Sequence, residues 1–228
     1  MRADALALDL DGTLVDSAPD IAAALAHALR AEDLDHRFEL RTVRAWIGDG
    51  PDVLIQRALA ARGVREPHPA LAQRLRAHFD AATLAAPLAH GHAFEGVAET
   101  LRALSRTLPL AVVTNKPTPL ARAVLDAAGL LPFCSAVLGA DTPGLRKPAP
   151  TLLLAAAERF GVRPARLLMV GDGPADLQAA AAAGCPAALV DWGYGGIADP
   201  GAAVWRLQSP RQLLALLPPG AAERAAMG

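Results

Sequence analysis

Between residues 92 and 190 the chain alternates short apolar runs with longer stretches of helical period, and this alternation limits the possible folds most. Apolar runs at 108–113, 136–138, 167–170 and 187–190 are separated by helical patterns at 96–106, 119–128, 151–160 and 175–183. Strands joined by helical crossovers pair in parallel, and runs without polar alternation are buried on both faces. The pattern therefore predicts a parallel sheet covered by helices on each side. A first apolar run, residues 5–10, is cut off from the others by about 75 residues of helical character (21–31, 41–62 and 70–86), far beyond an ordinary connection. The middle stretch is broken by Gly48-Asp49-Gly50-Pro51, a turn sequence that splits it in two. The segment reads as an inserted helical subdomain, with linkers near 16–19 and 87–91. The last ten residues, around and after Pro218-Pro219-Gly220, are expected to fray.

With 228 residues, 53% hydrophobic and 20% charged, the chain can bury a sizeable core and is not a disordered segment. A formal net charge of −1 provides no field to attract nucleic acid or anionic lipid. Cys134 and Cys185 are too few for a disulfide framework and read as buried packing residues in a reducing compartment. The opening apolar run is broken by Asp9 and Asp11, which suits neither a secretion signal nor a membrane span, so a cytoplasmic protein is expected.

In open parallel sheets ligands sit beyond the carboxyl ends of the strands. Asp9 and Asp11 follow the first run, Thr114-Asn115-Lys116 the second, Lys147 the loop after the third, Asp172 and Asp176 the fourth, and Asp191 the fifth. Carboxylates, a hydroxyl and ammonium groups aimed at one crevice suit a divalent metal and a phosphate group. A hard cation such as Mg²⁺ relieves repulsion between carboxylates such as Asp9, Asp11 and Asp172 through oxygen ligation. Gly12 lets backbone N–H groups approach an anion. A carboxylate can attack phosphorus, and a second acid can protonate the leaving oxygen and later activate water. Singly, each feature has a plainer reading: Asp11-Gly12 is a frequent turn pair, and Thr114 or Asn115 can cap the next helix. Asp176 either orients a metal ligand or complements its helix N-terminus.

Of 22 basic residues only Lys116 and Lys147 are lysine, both before proline in loops on the expected ligand side. A compact ammonium meets a single oxygen differently from a planar guanidinium. Gly171-Asp172-Gly173 invites a dinucleotide-binding reading, but the third glycine is missing and Asp172 would face a pyrophosphate with like charge. Gly193-Tyr194-Gly195-Gly196 reads as a flexible loop. Neither a Gly-x-Ser-x-Gly elbow nor a Gly-x4-Gly-Lys-Ser/Thr loop occurs, and His90 and His92 alone are too few for zinc.

In order, Asp9-Leu10-Asp11-Gly12-Thr13-Leu14-Val15-Asp16-Ser17, Val113-Thr114-Asn115-Lys116-Pro117, Arg146-Lys147-Pro148 and Gly171-Asp172 through Asp176 resemble the four motifs of the haloacid dehalogenase superfamily of phosphatases. The resemblance implies an α/β fold: a Rossmann-like doubly wound parallel sheet core (1–16 and 92–220) with an inserted helical cap (17–91). It also implies a Mg²⁺-dependent phosphomonoester hydrolase working through an aspartyl-phosphate. Asp9 would be the nucleophile and Asp11 the general acid and base. Mg²⁺ would be held by the Asp9 and Asp172 carboxylates and the Asp11 backbone carbonyl. Thr114, Asn115 and Lys147 would meet the phosphoryl oxygens.

Within the superfamily, Ser17-Ala18-Pro19-Asp20, Trp46-Ile47-Gly48 and Trp192-Gly193-Tyr194-Gly195 look most like the phosphoglycolate phosphatases, which implies 2-phosphoglycolate as substrate. Gly48, Asp49 and Lys116 are then the specificity candidates. Asp49 departs from the usual Asn and would repel a carboxylate substrate unless turned away or protonated. Phe94-Glu95-Gly96 replaces Tyr-Pro-Gly, and Gly173 replaces Ser. Alternatives are a phosphatase of another small metabolite such as a sugar phosphate, a phosphomutase, or, more distantly, a non-enzymatic phosphate-receiving module. The expected partner is a small phosphorylated metabolite, with neither nucleic acid nor membrane, in a monomer or homodimer.

Overall fold

The computed structural model describes residues 3–197, 201 and 204–216. In chain order the elements are β1 (Ala5–Leu8), β2 (Val15–Asp16), α1 (Ala18–Ala31), α2 (Leu40–Arg44), α3 (Pro51–Ala61), α4 (Pro69–Ala85), β3 (His92–Ala93), α5 (Val97–Ser105), β4 (Leu110–Thr114) and α6 (Thr118–Ala127). Then follow β5 (Ala136–Gly139), α7 (Thr151–Arg159), β6 (Leu167–Gly171), α8 (Pro174–Ala183), β7 (Ala187–Val190) and β8 (Trp205–Leu207). Six strands form one parallel sheet in the order β5-β4-β1-β6-β7-β8. The chain winds outward in one direction from β1 and in the other from β6. The crevice of such a sheet opens at the tips of those two adjacent strands.

Pleating sends successive side chains to opposite faces. Leu6, Leu8, Leu110, Val112, Leu168 and Val170 pack with α5 and α6. Ala5, Ala7, Ala111, Val113, Leu167 and Met169 pack with α7 and α8, whose own contribution includes Ala156, Ala157, Ala179 and Ala180. Small residues in β1, α7 and α8 bring that helical layer close to the sheet.

β1 is shorter than the apolar run 5–10 suggests. The Leu10 carbonyl accepts from the N–H groups of Thr13, Leu14 and Val15, so the chain turns there instead of extending. Asp9 still donates its N–H to the Val170 carbonyl (2.9 Å) and stays in register with β6. The seven expected helical regions, four in the sheet domain and three in the insertion, all form, the middle one of the insertion split into α2 and α3 at the Gly48–Pro51 turn. Helices α1–α4 bury their own apolar cluster, including Leu25, Leu29, Ile55, Leu59, Leu75 and Phe79, and Leu120 of α6 joins it from below.

Three strands lack a signal in the sequence. β2 and β3 pair antiparallel, Val15 with Ala93 and Asp16 with His92, where the insertion leaves and rejoins the sheet. Buried Asp20 of α1 ties the returning chain by accepting from the N–H groups of His90 (2.9 Å) and Gly91 (2.7 Å). β8 adds a sixth strand beyond β7. Two- and three-residue strands carry no readable periodicity; long-range pairing alone creates them. Cys134 is half-buried, Cys185 is buried, and both are free thiols that burial pushes up to about 11. The residues expected to fray lie outside the described residues. No described helix is long and apolar enough to cross a membrane.

Ala7 has no exposed surface and faces the alanine-rich side of the sheet. Ala7→Leu is expected to overpack that layer and lower unfolding free energy by about 1–3 kcal/mol, read by urea denaturation.

Candidate active site

Residues just past β1, β4 and β6, and in the loop after β5, converge at the sheet's carboxyl edge. Ligand oxygens of Asp9, Asp172 and Asp176 all lie within 4.8 Å of one another, and all three side chains are buried. Lys147 is the counter-charge. Its Nζ donates to Asp9 Oδ1 (2.8 Å), Asp176 Oδ1 (2.6 Å) and the Val113 carbonyl (2.9 Å). The N-terminus of α8 places Asp176, whose Oδ2 accepts from the Gly173 N–H (3.0 Å).

Three buried carboxylates face one ammonium. Burial pushes Asp9 up to about 7, opposed by Lys147 and reinforced by Asp176 and Asp172. Burial and then Asp176 push Asp172 up to about 6, against the N–H groups of Tyr194 and Gly195 and the Lys147 charge. For Lys147, burial favours the neutral form, but Asp176 and Asp9 outweigh it and hold the ammonium above its usual range. An all-oxygen donor set with surplus negative charge fits a hard divalent cation.

Asp11 stands two residues from Asp9, yet its carboxylate is not part of that cluster. Lys116 Nζ donates to both its oxygens, at 2.6 and 2.9 Å, and Ser17 Oγ donates to Oδ1 at 2.5 Å. Between the two acids and β6, Gly12 has φ +86°, and a Cβ there would lie 2.5 Å from Asp172 Oδ2. No side chain fits at that position.

Thr114, at the end of β4, is buried and accepts from the Lys116 N–H (3.2 Å), leaving its own hydroxyl hydrogen to donate. Asn115 has a structural task. Its Oδ1 accepts from the Lys147 N–H (2.7 Å), and its Nδ2 donates to the Lys147 carbonyl (3.1 Å) and the Gly48 carbonyl (2.8 Å). One side chain thus clamps the backbone of Lys147 and fastens it to the helical insertion. Arg146 makes a second such link by pairing with Asp52 at the start of α3, which also receives Arg76 Nη1 (2.5 Å). Asp49 is turned aside to pair with Arg57, whose Nη1 also bonds the Trp46 carbonyl (2.7 Å).

One residue and one stretch behave differently from what the sequence suggests. Asp191, at the tip of β7, does not reach the crevice; Arg206 of β8 pairs with it at 2.6 Å. The glycine-rich stretch after β7 is not a loose loop. The N–H groups of Tyr194 (2.6 Å) and Gly195 (3.2 Å) donate to Asp172 Oδ2. A Cβ on Gly193 would lie 2.2 Å from Asp172 Cβ, and one on Gly195 2.0 Å from the Asp172 carbonyl oxygen. Tyr194 Oη donates to Asp16 Oδ1 (2.6 Å) and accepts from the Ala18 N–H (3.0 Å), so the same residue reaches the entry to the insertion. An aromatic flanked by glycines after a buried strand was the available signal.

Above the acids lies a cavity roofed by α1, the α2–α3 turn, α3 and α4; Asp9, Asp11, Thr114, Asn115 and Lys116 form its floor. An outer cleft, which shares Asp9, Asp11, Ile47 and Gly48 with this cavity, runs along Lys147, Asp172 and Asp176, past Arg44, Asp49 and Arg57.

The profile of the haloacid dehalogenase-like hydrolases matches residues 3–184. The phosphoglycolate phosphatase of Pectobacterium atrosepticum is 43% identical over 190 residues, covering 83% of this chain and 80% of that protein. The phosphoglycolate phosphatase of Escherichia coli strain K12 is 42% identical over 206 residues, covering 83% of this chain and 81% of that protein. A crystal structure described as a "predicted phosphoglycolate phosphatase" from Haemophilus somnus 129PT superposes with a TM-score of 0.86 at 31% identity, covering 95% of this chain and 98% of that one.

The raised Asp9 and Asp172 set the sign of a pH effect. Without a cation the folded chain keeps protons that the unfolded chain releases near pH 3.8, so stability from these groups is lost as pH rises through about 6 to 7. The metal-free melting temperature is expected to fall between pH 5 and pH 8, and a millimolar divalent cation to raise it more at pH 8 than at pH 5, by scanning calorimetry. Asn115→Ala leaves the Lys147 N–H and the Gly48 carbonyl without their partner and is expected to cost about 1–3 kcal/mol in chemical denaturation.

Proposed function

The chain belongs to the haloacid dehalogenase-like hydrolase family and is a phosphatase, and on that premise we propose that it hydrolyses 2-phosphoglycolate to glycolate and phosphate, with Mg²⁺ bound, through an aspartyl-phosphate on Asp9. The observation that carries this reading is the placement of Asp9. It lines the cavity floor with one oxygen on Lys147, inside a cluster of three buried carboxylates whose oxygens suit a divalent cation.

Asp9 and Asp172 would hold Mg²⁺ with the Asp11 main-chain carbonyl, and Asp176 stands beside them. When bound, the ion neutralises carboxylate charge and polarises a phosphoryl oxygen. The Asp9 carboxylate attacks phosphorus, the bond from phosphorus to the ester oxygen breaks, and Asp11 supplies the proton that the leaving oxygen takes. Asp11 then accepts a proton from water as that water attacks the phosphoaspartate. The bond from phosphorus to Asp9 breaks, inorganic phosphate leaves, and both acids are restored. The Thr114 hydroxyl and Lys147 ammonium receive the phosphoryl oxygens, where negative charge develops in the transition state.

Residues 17–91 serve as a cap over a core of 1–16 and 92–220. Closure over the substrate excludes bulk water while the phosphoryl group passes to Asp9. The Asn115–Gly48 and Arg146–Asp52 links join the two parts beside Lys147 and support this role. For the substrate, support comes from the relatives' activity and from a cavity that holds both acids beneath an apolar roof. Asp49 is neutralised by Arg57 and lines the outer cleft, so its charge does not oppose a carboxylate in the cavity.

Asp9→Asn is expected to lower phosphate release from 2-phosphoglycolate at least about a thousandfold while far-UV circular dichroism stays unchanged. Excess chelator is expected to stop turnover and added Mg²⁺ to restore it. Undiminished release in either measurement overturns the assignment.

A further inference from the structure

Lys116 is one of the chain's two lysines, and the chemistry proposed above gives it no task. Its side chain is buried, and its ammonium makes two hydrogen bonds, both to Asp11. An ammonium carries three N–H donors, so one remains. Lys116 lines the cavity beneath the helical roof, and among the described residues it is the only cationic side chain to do so. Lys147, Arg44 and Arg57 line the outer cleft. The rest of the cavity wall is mostly apolar, with Ile21, Ile47, Leu54, Phe79 and Leu120 facing it. In such surroundings a charge-assisted hydrogen bond is strong, and a buried donor left without a partner is costly.

We propose that Lys116 determines substrate specificity by receiving, on the N–H not given to Asp11, a carboxylate at the non-phosphate end of the substrate. The proposal rests on Asp9 taking the phosphoryl group. With phosphorus at Asp9 and the tail directed into the cavity, the tail meets one cation, and that cation already shares the cavity floor with the reacting acid. The favoured substrates are therefore short phosphomonoesters ending in a carboxylate. Esters with a neutral tail bury Lys116 without pairing it and are disfavoured. The pairing of Lys116 with Asp11 also fixes the ammonium before substrate arrives, which reduces the ordering that binding requires.

The test compares kcat/KM for 2-phosphoglycolate with kcat/KM for ethyl phosphate, which keeps the two-carbon skeleton and puts a methyl in place of the carboxylate. The ratio within one protein preparation is independent of how much of it is folded. Wild type is expected to favour 2-phosphoglycolate by about a hundredfold or more, the scale of losing a buried charge-assisted pair, and Lys116→Met to bring the two esters within a few-fold. Lys116→Gln gives the same reading if the Met variant does not fold. Arg57→Gln, in the outer cleft, is expected to keep the wild-type preference. A preference that survives in both Lys116 variants, a parallel loss on both esters, or a preference that moves with Arg57 overturns the assignment of Lys116. Both esters turned over equally by wild type would overturn the carboxylate-substrate reading along with it, whereas no release from either ester would remove the phosphatase chemistry on which both rest.

Discussion

The buried ammonium of Lys147 holds the site together. It draws Asp9 from the end of β1, Asp176 from the start of α8 and the carbonyl of Val113 from β4 onto a single nitrogen. Removing any of these acceptors leaves a charge or a donor unpaired among buried groups, which is far more costly than losing an exposed ion pair. Yet one ammonium faces Asp9, Asp172 and Asp176 together, and burial, with the neighbouring carboxylates adding to it, displaces Asp9 and Asp172 upward. The site is thus organised by one cation, and its buried carboxylates form a donor set that suits a second.

The surroundings serve that arrangement. Asn115 fixes the lysine by its backbone, the part a flexible four-carbon side chain cannot control. Tyr194 and Gly195 hold one oxygen of Asp172 with main-chain donors, and Tyr194 extends to Asp16 and Ala18, where the insertion departs. Asn115 and Arg146 reach into the insertion on the other side. Contacts to the helical layer therefore leave directly from residues that border the charged cluster. A shift of that layer is felt by the backbone of Lys147 and by the loop that supports Asp172.

The helical regions and the five main strands are legible because apolar periodicity is a local property. Gly12 was legible too, since a glycine directly after the two acids marks a backbone that something must approach closely. The misread residues are those whose role depends on distant partners. Asp191 stands at a strand tip like Asp9 and Asp172, but β8 brings Arg206 beside it and takes it out of the crevice. The Gly193–Gly196 stretch looks unstructured because nothing local orders it; Asp172 does.

The sequence by itself determined which residues carry charge and hydroxyl groups past the strands, that the sheet is parallel, and that a helical segment is inserted after the first strand. Spacing and composition encode these directly. The tertiary structure decided how those groups divide the work: Lys147 to Asp9 and Asp176, Lys116 to Asp11, Asn115 to the backbone of Lys147, Asp49 to Arg57. Two lysines and several aspartates allow many pairings, and choosing among them needs distances of a few ångströms between residues up to 138 positions apart. Only the packing of the whole sheet sets such distances.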